Sequence, residues 1–331
     1  MSFQDFVGQE PLVRMLQNSL RTGRVAHAYL FTGPRGMGKA TLARELAKAL
    51  NCAGERGDAC DRCSSCRRIT AGHHPDLLRV QPDGSAVKIE QVRSLQKALW
   101  MRPVEGAYRV GIVEEADKMT AEAANSFLKI LEEPPPHAVL ILLAEQPYGL
   151  LPTVTSRCQV LAFRRVATPA LESFLSARLR LERGDARLLA AMAGGNPGRA
   201  LALHGSGTWE PVRQRVLELP DRLDAAEGGE LLSIPEPGKE QWATYLELLL
   251  LYFRDLLLYR LGVREVMSHL DREHMIKVRA EGLSLPQILE ALSLIHRTID
   301  AARKNANHQL AWEAMLFKLW PLFRSGIMDS R

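Results

Sequence analysis

Seven residues constrain this chain more than any others. They are Gly33-Pro34-Arg35-Gly36-Met37-Gly38-Lys39, set between the apolar run Ala28–Phe31 and a stretch in which Leu42, Leu46 and Leu50 recur every four residues. Glycines at this density break regular structure and mark a loop. The leucine period over Lys39–Leu50, with Ala43 and Ala47 beside it, predicts a helix, and the β-rich run before the loop predicts a strand. A glycine-rich turn that leaves a strand and opens a helix lets successive backbone N–H groups converge on one anion. The helix N-terminus adds its partial positive charge. The motif therefore predicts a phosphate-binding loop with Lys39 reaching the outer phosphates; a purely structural glycine-rich turn is the plainer alternative.

Four more apolar runs, Leu77–Val80, Val110–Val113, Val139–Leu143 and Val160–Phe163, are separated by helical patterns. Ile89, Val92, Leu95 and Leu99 stripe one of these, Lys88–Trp100. Another is expected to take Thr120 as its N-cap and to stop before Pro134-Pro135-Pro136, where the backbone cannot continue a helix. Short, nearly continuous apolar strands alternating with helices imply a parallel sheet covered on both faces. Residues 1–166 are thus expected to form an α/β domain with five strands. From about Thr168 the strand signal disappears. Residues 168–205 read as two or three short helices around Gly194-Gly195-Asn196-Pro197-Gly198, followed by a break at Gly205–Glu210. A short helix over Pro211–Leu219 is expected to be interrupted by Pro220, and Glu227–Lys239 reads as a loop. Longer helices are predicted through Gln241–Leu261, Leu285–Asn305 and Gln309–Phe323, the first of them apolar enough to be buried on most sides.

Composition excludes several classes. With 46% hydrophobic and 24% charged residues the chain is not mainly disordered. The start, Met-Ser-Phe-Gln-Asp, lacks the features of a secretion signal, and the most apolar stretches are too short or are interrupted by Arg254 and Asp255, so neither can span a bilayer. A cytoplasmic protein is expected. The net charge of +5 permits a phosphate-bearing partner without identifying one.

Four of the five cysteines, Cys52, Cys60, Cys63 and Cys66, are clustered. In a reducing compartment that clustering points to a metal rather than to disulfides. Two consecutive Cys-x2-Cys steps make a tight turn that aims several thiolates at one point, and Cys52, at the end of the preceding helix, can close a tetrahedral S₄ site. Four protein ligands leave no open position for water, which favours structural Zn²⁺; an iron–sulfur cluster is the rival. The loop Ala53–Arg68 has few large apolar residues, so the metal is expected to fold it. His73 and His74 are read as loop residues.

The magnesium side of the phosphate loop is incomplete. The residue after the lysine normally offers a hydroxyl to Mg²⁺, but here it is Ala40. Thr41 follows, yet one step along a helix turns a side chain by about 100°, so it does not simply substitute. After Val110–Val113 the acidic element is Glu114-Glu115-Ala116-Asp117. Glu114 stands where the metal-holding carboxylate is expected, one methylene longer than an aspartate. A solvated carboxylate at a strand end is its bland reading.

Taken together, five segments resemble bacterial clamp-loader subunits, the AAA+ proteins of the DNA polymerase III holoenzyme. They are Phe6-Val7-Gly8-Gln9-Glu10, Ala26–Phe31 running into the phosphate loop, the four cysteines, Asn125–Pro134, and Ser156-Arg157-Cys158-Gln159. Asn305-Ala306-Asn307, followed by Leu310 and Leu316, is similar to the last helix of the family's oligomerising collar. The resemblance implies an AAA+ domain over 1–166 with a zinc insertion at about 52–66, a helical lid over 167–207 and an all-α collar over 208–331. The family's ATPase subunit, gamma/tau, carries Gly-Lys-Thr in the loop and a sensor threonine at the end of the fourth strand. Here those places hold Ala40 and Ala144. That combination resembles the delta-prime members, which act mainly as a stator in a five-membered ring with gamma/tau and delta, helping to place the sliding clamp on primed DNA. In the family the arginine of Ser-Arg-Cys is donated across the interface to the neighbour's ATP, and Arg157 matches it; an intradomain salt bridge is the alternative. Arg199 resembles the sensor-2 arginine, with either a nucleotide-facing or a structural role. The resemblance leaves intrinsic ATPase activity and Mg·ATP binding in doubt. An active motor subunit tolerating Ala40 through Thr41 or water is the runner-up. A different AAA+ remodeller, such as a Holliday-junction motor, is disfavoured by the cysteine insertion.

Overall fold

The computed structural model describes Phe3 and residues 6–54, 57–227, 229–304 and 306–328. Asn305 of the collar motif lies outside the described residues. Two compact units are present: Met1–Ala170 together with Asn196–Gly198, and Leu171–Gly195 together with Arg199–Arg331.

The first unit runs α1 (Glu10–Thr22), β1 (Ala28–Thr32), α2 (Lys39–Leu50), α3 (Ser64–Ala71), β2 (Leu77–Val80), α4 (Ile89–Trp100), β3 (Arg109–Val113), α5 (Ala121–Glu132), β4 (Ala138–Ala144), α6 (Pro152–Thr155) and β5 (Gln159–Ala162). The five strands form one parallel sheet in the order β2-β3-β4-β1-β5. Every residue of β1, β3 and β4 is buried, whereas the edge strands β2 and β5 are partly exposed. This accounts for the continuous apolar runs: a central strand has no face turned to water. Alternate residues serve opposite faces. Ala28, Leu30, Leu140, Leu142 and Val113 pack with Val92, Leu95, Leu99, Phe127 and Leu131 of α4 and α5. The expected five-stranded parallel α/β sheet is present, and its strand ends fall within one residue of those read from sequence.

Local signals set the helix ends. The Thr120 hydroxyl accepts from Ala123 N at 3.2 Å, as an N-cap should. At α2, Gly38 is the N-cap with φ 90°, a backbone angle glycine tolerates and most residues do not. Three helices of this unit were not read from sequence: α1, α3 inside the cysteine insertion, and the four-residue α6.

The second unit is helical: α7 (Thr168–Leu179, whose first turn belongs to the first unit), α8 (Arg183–Ala193), α9 (Pro197–Ser206), α10 (Trp209–Ala225), α11 (Trp242–Arg260), α12 (Glu273–Gly282), α13 (Leu285–Arg303) and α14 (His308–Met328). Helix α11 lies against α10, α12 and α13, which is why it is apolar on most sides. One expectation fails here. Helix α10 does not stop before Pro220 but continues to Ala225. Trp209, Val212, Val216, Leu219 and Leu223 form one buried stripe across the proline. Burying that stripe outweighs a lost helical hydrogen bond and ring clash of about 3 kcal/mol. Likewise α14 runs through Pro321, and Glu227–Lys239 contains a single 3₁₀ turn, Glu230–Ser233. Among the described residues no helix is long and apolar enough to cross a membrane.

Candidate metal centre and phosphate loop

The strand–loop–helix predicted around Lys39 is present: β1 leads into the loop and α2 leaves it. Gly36 has φ 78°, and a Cβ there would lie 2.4 Å from Asn196 Oδ1, so this position is closed to any side chain. Asn196 Nδ2 donates to the Arg35 carbonyl at 2.6 Å, and Gly198 N donates to the Gly36 carbonyl at 2.9 Å. These bonds take up carbonyl oxygens of the loop, while Gly33 N donates to the Glu145 carbonyl at 3.2 Å. Met37 is buried beneath it.

The charged groups at the loop are internally paired. Lys39 Nζ donates to the carbonyl of Gly33 and, at 2.9 Å, to that of Pro34. Its burial pulls the ammonium pKa down. The Arg35 guanidinium donates to Glu145 and, at 2.9 Å, to Glu115. Those carboxylates, Glu145 foremost, hold the guanidinium pKa above its usual value. Glu115 sits at φ 48° and also pairs with Lys118 at 2.6 Å, the main reason that its carboxyl titrates below the usual range. Glu114 pairs with Arg79 of β2. Ala40 and Thr41 line a cavity of about 180 Å³ together with these two residues. Ala144 closes β4, buried and in register with Thr32.

Hydrated magnesium requires a hydroxyl or carboxylate free to hold it. Position 40 offers a methyl group, and the nearby carboxylates of Glu114, Glu115 and Glu145 have basic partners already. The glycine-rich turn and the helix it opens are therefore retained, while the methyl group at position 40 and the paired Glu114 and Glu115 do not fit Mg²⁺.

The cysteine insertion does fit a metal. The Sγ atoms of Cys52, Cys60, Cys63 and Cys66 all lie within 4.8 Å of one another. A tetrahedral S₄ site with bonds of about 2.3 Å requires sulfur separations of about 3.8 Å, so little movement is needed to close on an ion. Cys63 caps α3, its sulfur accepting from Cys66 N at 3.4 Å. Cys52 Sγ accepts from Gly54 N at 3.3 Å and Cys60 N at 3.4 Å. Backbone N–H groups, those of Arg62 and Cys63 foremost, bring the Cys60 thiol down to about 6, whereas burial pushes that of Cys66 up. The insertion is tied to its surroundings by ion pairs: Asp61 meets the buried Lys48 of α2, and Arg68 of α3 meets Glu105. His73 and His74 stay outside the thiol cluster. His74 is nevertheless buried, sharing a hydrogen bond with Ser65 Oγ at 3.0 Å and accepting from Asp76 N at 3.1 Å.

Arg157 follows the short α6. Its guanidinium reaches Glu132 Oε1 at 2.9 Å and the Thr153 carbonyl at 3.0 Å, with 38% of the side chain exposed. Arg199, in the helical unit, makes a two-pronged contact with Glu247 of α11 at 2.6 and 2.5 Å.

Among the partners not singled out from sequence are Arg79, Glu132, Glu145 and Asp76. A lone arginine inside the apolar run Leu77–Val80 was the one available signal for Arg79. Asp76 carried none. It is fully buried and accepts from the N–H groups of Val104 at 2.7 Å, Glu105 at 2.9 Å and Gly106 at 2.8 Å.

Comparison with known proteins places these features. A family profile described as DNA polymerase III, delta subunit, matches residues 8–167. The DNA polymerase III subunit tau of Bacillus subtilis is 28% identical over 96% of this chain and 61% of its own length. Among solved structures, a DNA polymerase III gamma-subunit-related protein from Thermotoga maritima aligns over 96% of this chain and 99% of that one, at 18% identity and a TM-score of 0.38. The DNA polymerase III subunit delta' of Bacillus subtilis is 33% identical over 88% of this chain and 92% of its own length. Identity at that level along nearly the whole of both proteins is a family relationship, and the chain belongs to the delta-prime subunits of the DNA polymerase III clamp loader.

Proposed function

We propose that this chain is a non-motor member of a clamp-loader ring. It sits among gamma/tau and delta subunits in a hetero-pentamer, helps to place the sliding clamp on primed DNA in the cytoplasm, and lends Arg157 to the ATP of a neighbouring subunit. A guanidinium suits that task because it stays charged and spreads several donors over phosphoryl oxygens that gain charge in the transition state. Its present partner, Glu132, is exposed enough to be exchanged for a stronger anion at an interface.

In this reading the four cysteines hold one structural Zn²⁺ that folds the insertion, and the helical portion divides into a lid over 167–207 and a collar over 208–331. Arg199, paired with Glu247, has a structural role.

The observation that carries the non-motor reading is a phosphate loop whose backbone is intact while position 40 carries a methyl group and position 144 another. Geometry is kept and metal handling is lost. Substituting Lys39→Ala tests it in the reconstituted loader. The ATPase rate of the complex is expected to stay within about twofold of wild type; a collapse of that rate would make this chain a motor, as in the gamma/tau-like alternative.

A further inference from the structure

The loss of magnesium chemistry is more than the absence of one hydroxyl. We propose that Arg79 is a specificity-determining residue. Its guanidinium is the resident counter-ion of Glu114, and this fixed positive charge bars a divalent cation from the phosphate loop. Any nucleotide phosphate the loop accepts is then bound without metal. The inference rests on the non-motor reading and adds a second, independent cause to it.

The placement follows from the sheet. Strands β2 and β3 pair in parallel with Arg79 opposite Ile112 and Val80 opposite Val113, and Glu114 N continues the ladder to the Val80 carbonyl at 2.9 Å. Arg79 and Glu114 therefore project from the same face of neighbouring strands, two residues apart in register, and the Arg79 Nη2 group donates to Glu114 Oε1. Both line the cavity that Ala40 and Thr41 enter from α2, and Arg44 lines it too. Among the described residues the Arg44 guanidinium has no hydrogen-bond or ion-pair partner. The cavity thus holds two guanidinium groups against one carboxylate.

A dication entering such a space meets a net positive charge, and the carboxylate meant to attract it is already neutralised. Restoring a hydroxyl at position 40 supplies a ligand but not the missing negative potential. Charge, rather than shape, is the barrier.

The test measures ATP binding to the purified full-length chain by calorimetry, in Mg²⁺ and in EDTA. Four forms are compared: wild type, Ala40→Thr, Ala40→Thr with Arg79→Gln, and Ala40→Thr with Arg79→Lys. Arg79 is half-exposed on an edge strand, and melting curves check that each variant folds. The glutamine double variant is expected to bind ATP at least tenfold more tightly in Mg²⁺ than in EDTA. Wild type, the threonine single variant and the lysine double variant are expected to differ by less than threefold between the two conditions. The proposal is overturned if Ala40→Thr alone gains as much magnesium dependence as the glutamine double variant, if the lysine variant gains it too, or if the glutamine variant gains none. Because these are binding measurements on the isolated chain, they stand or fall separately from turnover in the assembled loader.

Discussion

Replacing Arg157 with alanine separates what this residue does for its own domain from what it does for a neighbour. Among the described residues it makes one ion pair, to Glu132 at 2.9 Å, with 38% and 52% of the two side chains exposed. An exposed pair of this kind contributes about 0.5 kcal/mol. In a domain of this size that corresponds to a change in melting temperature of about 1–2 °C. Donated across an interface, as proposed, the same guanidinium is expected to have a far larger effect, because arginine fingers change phosphoryl-transfer rates by about 10³- to 10⁵-fold. The two measurements are thermal unfolding of the isolated variant and single-turnover ATP hydrolysis by the reconstituted complex. Melting is expected to stay within about 2 °C of wild type while hydrolysis at the adjacent site falls by at least about a hundredfold. Glu132→Ala, which frees the guanidinium, is expected to leave hydrolysis intact. An unchanged rate in Arg157→Ala would refute donation in trans, and an equal loss in Glu132→Ala would show that the pair, not the charge, matters.

Elemental analysis of the purified chain is expected to find about one zinc per molecule, as one S₄ site requires, and no iron absorbance. Removing that zinc with a chelator is expected to expose segment 52–72 to proteases while the sheet stays folded, since metal binding in such modules is their folding energy. Cleavage that begins in the strands instead would contradict a local role. Asp76→Ala is expected to cost about 3–5 kcal/mol in urea unfolding, because it leaves the buried Arg109 without its carboxylate partner and takes the acceptor from three partly buried N–H groups. Burial alone would raise the Asp76 pKa, but these N–H bonds outweigh it and hold the pKa below the usual value. Its stabilising contribution is therefore complete above about pH 4 and is lost as the pH falls through the lowered native value. Asp76→Asn is expected to flatten the acid limb of stability; an unaltered acid limb would place the titration elsewhere.

Much of the first unit was legible because strong local signals agreed with the global fold. Strands buried on both faces read as uninterrupted apolar runs, and Thr120 and Gly38 end their neighbouring helices by backbone chemistry that sequence displays directly. The four cysteines were legible for the same reason: their spacing places sulfurs together with little help from the rest of the chain. Sequence failed where distant packing decides. Helix α10 ignores Pro220 because its buried stripe spans the break, and nothing within ten residues announces that stripe's partners in α11 and α14. Strand order was equally hidden, and with it the neighbours of Glu114. Arg79 is thirty-five residues away in sequence and becomes its ion-pair partner because β2 and β3 are adjacent. The missing hydroxyl at position 40 was visible in the sequence, but the cation beside it required the fold.

The central claim is tested most directly by assembling a loader in which every other subunit carries an inactivating substitution of its phosphate-loop lysine and only this chain keeps Lys39. DNA-stimulated ATP turnover in that complex is expected to fall to background. Sustained turnover there would mean that this polypeptide hydrolyses ATP itself.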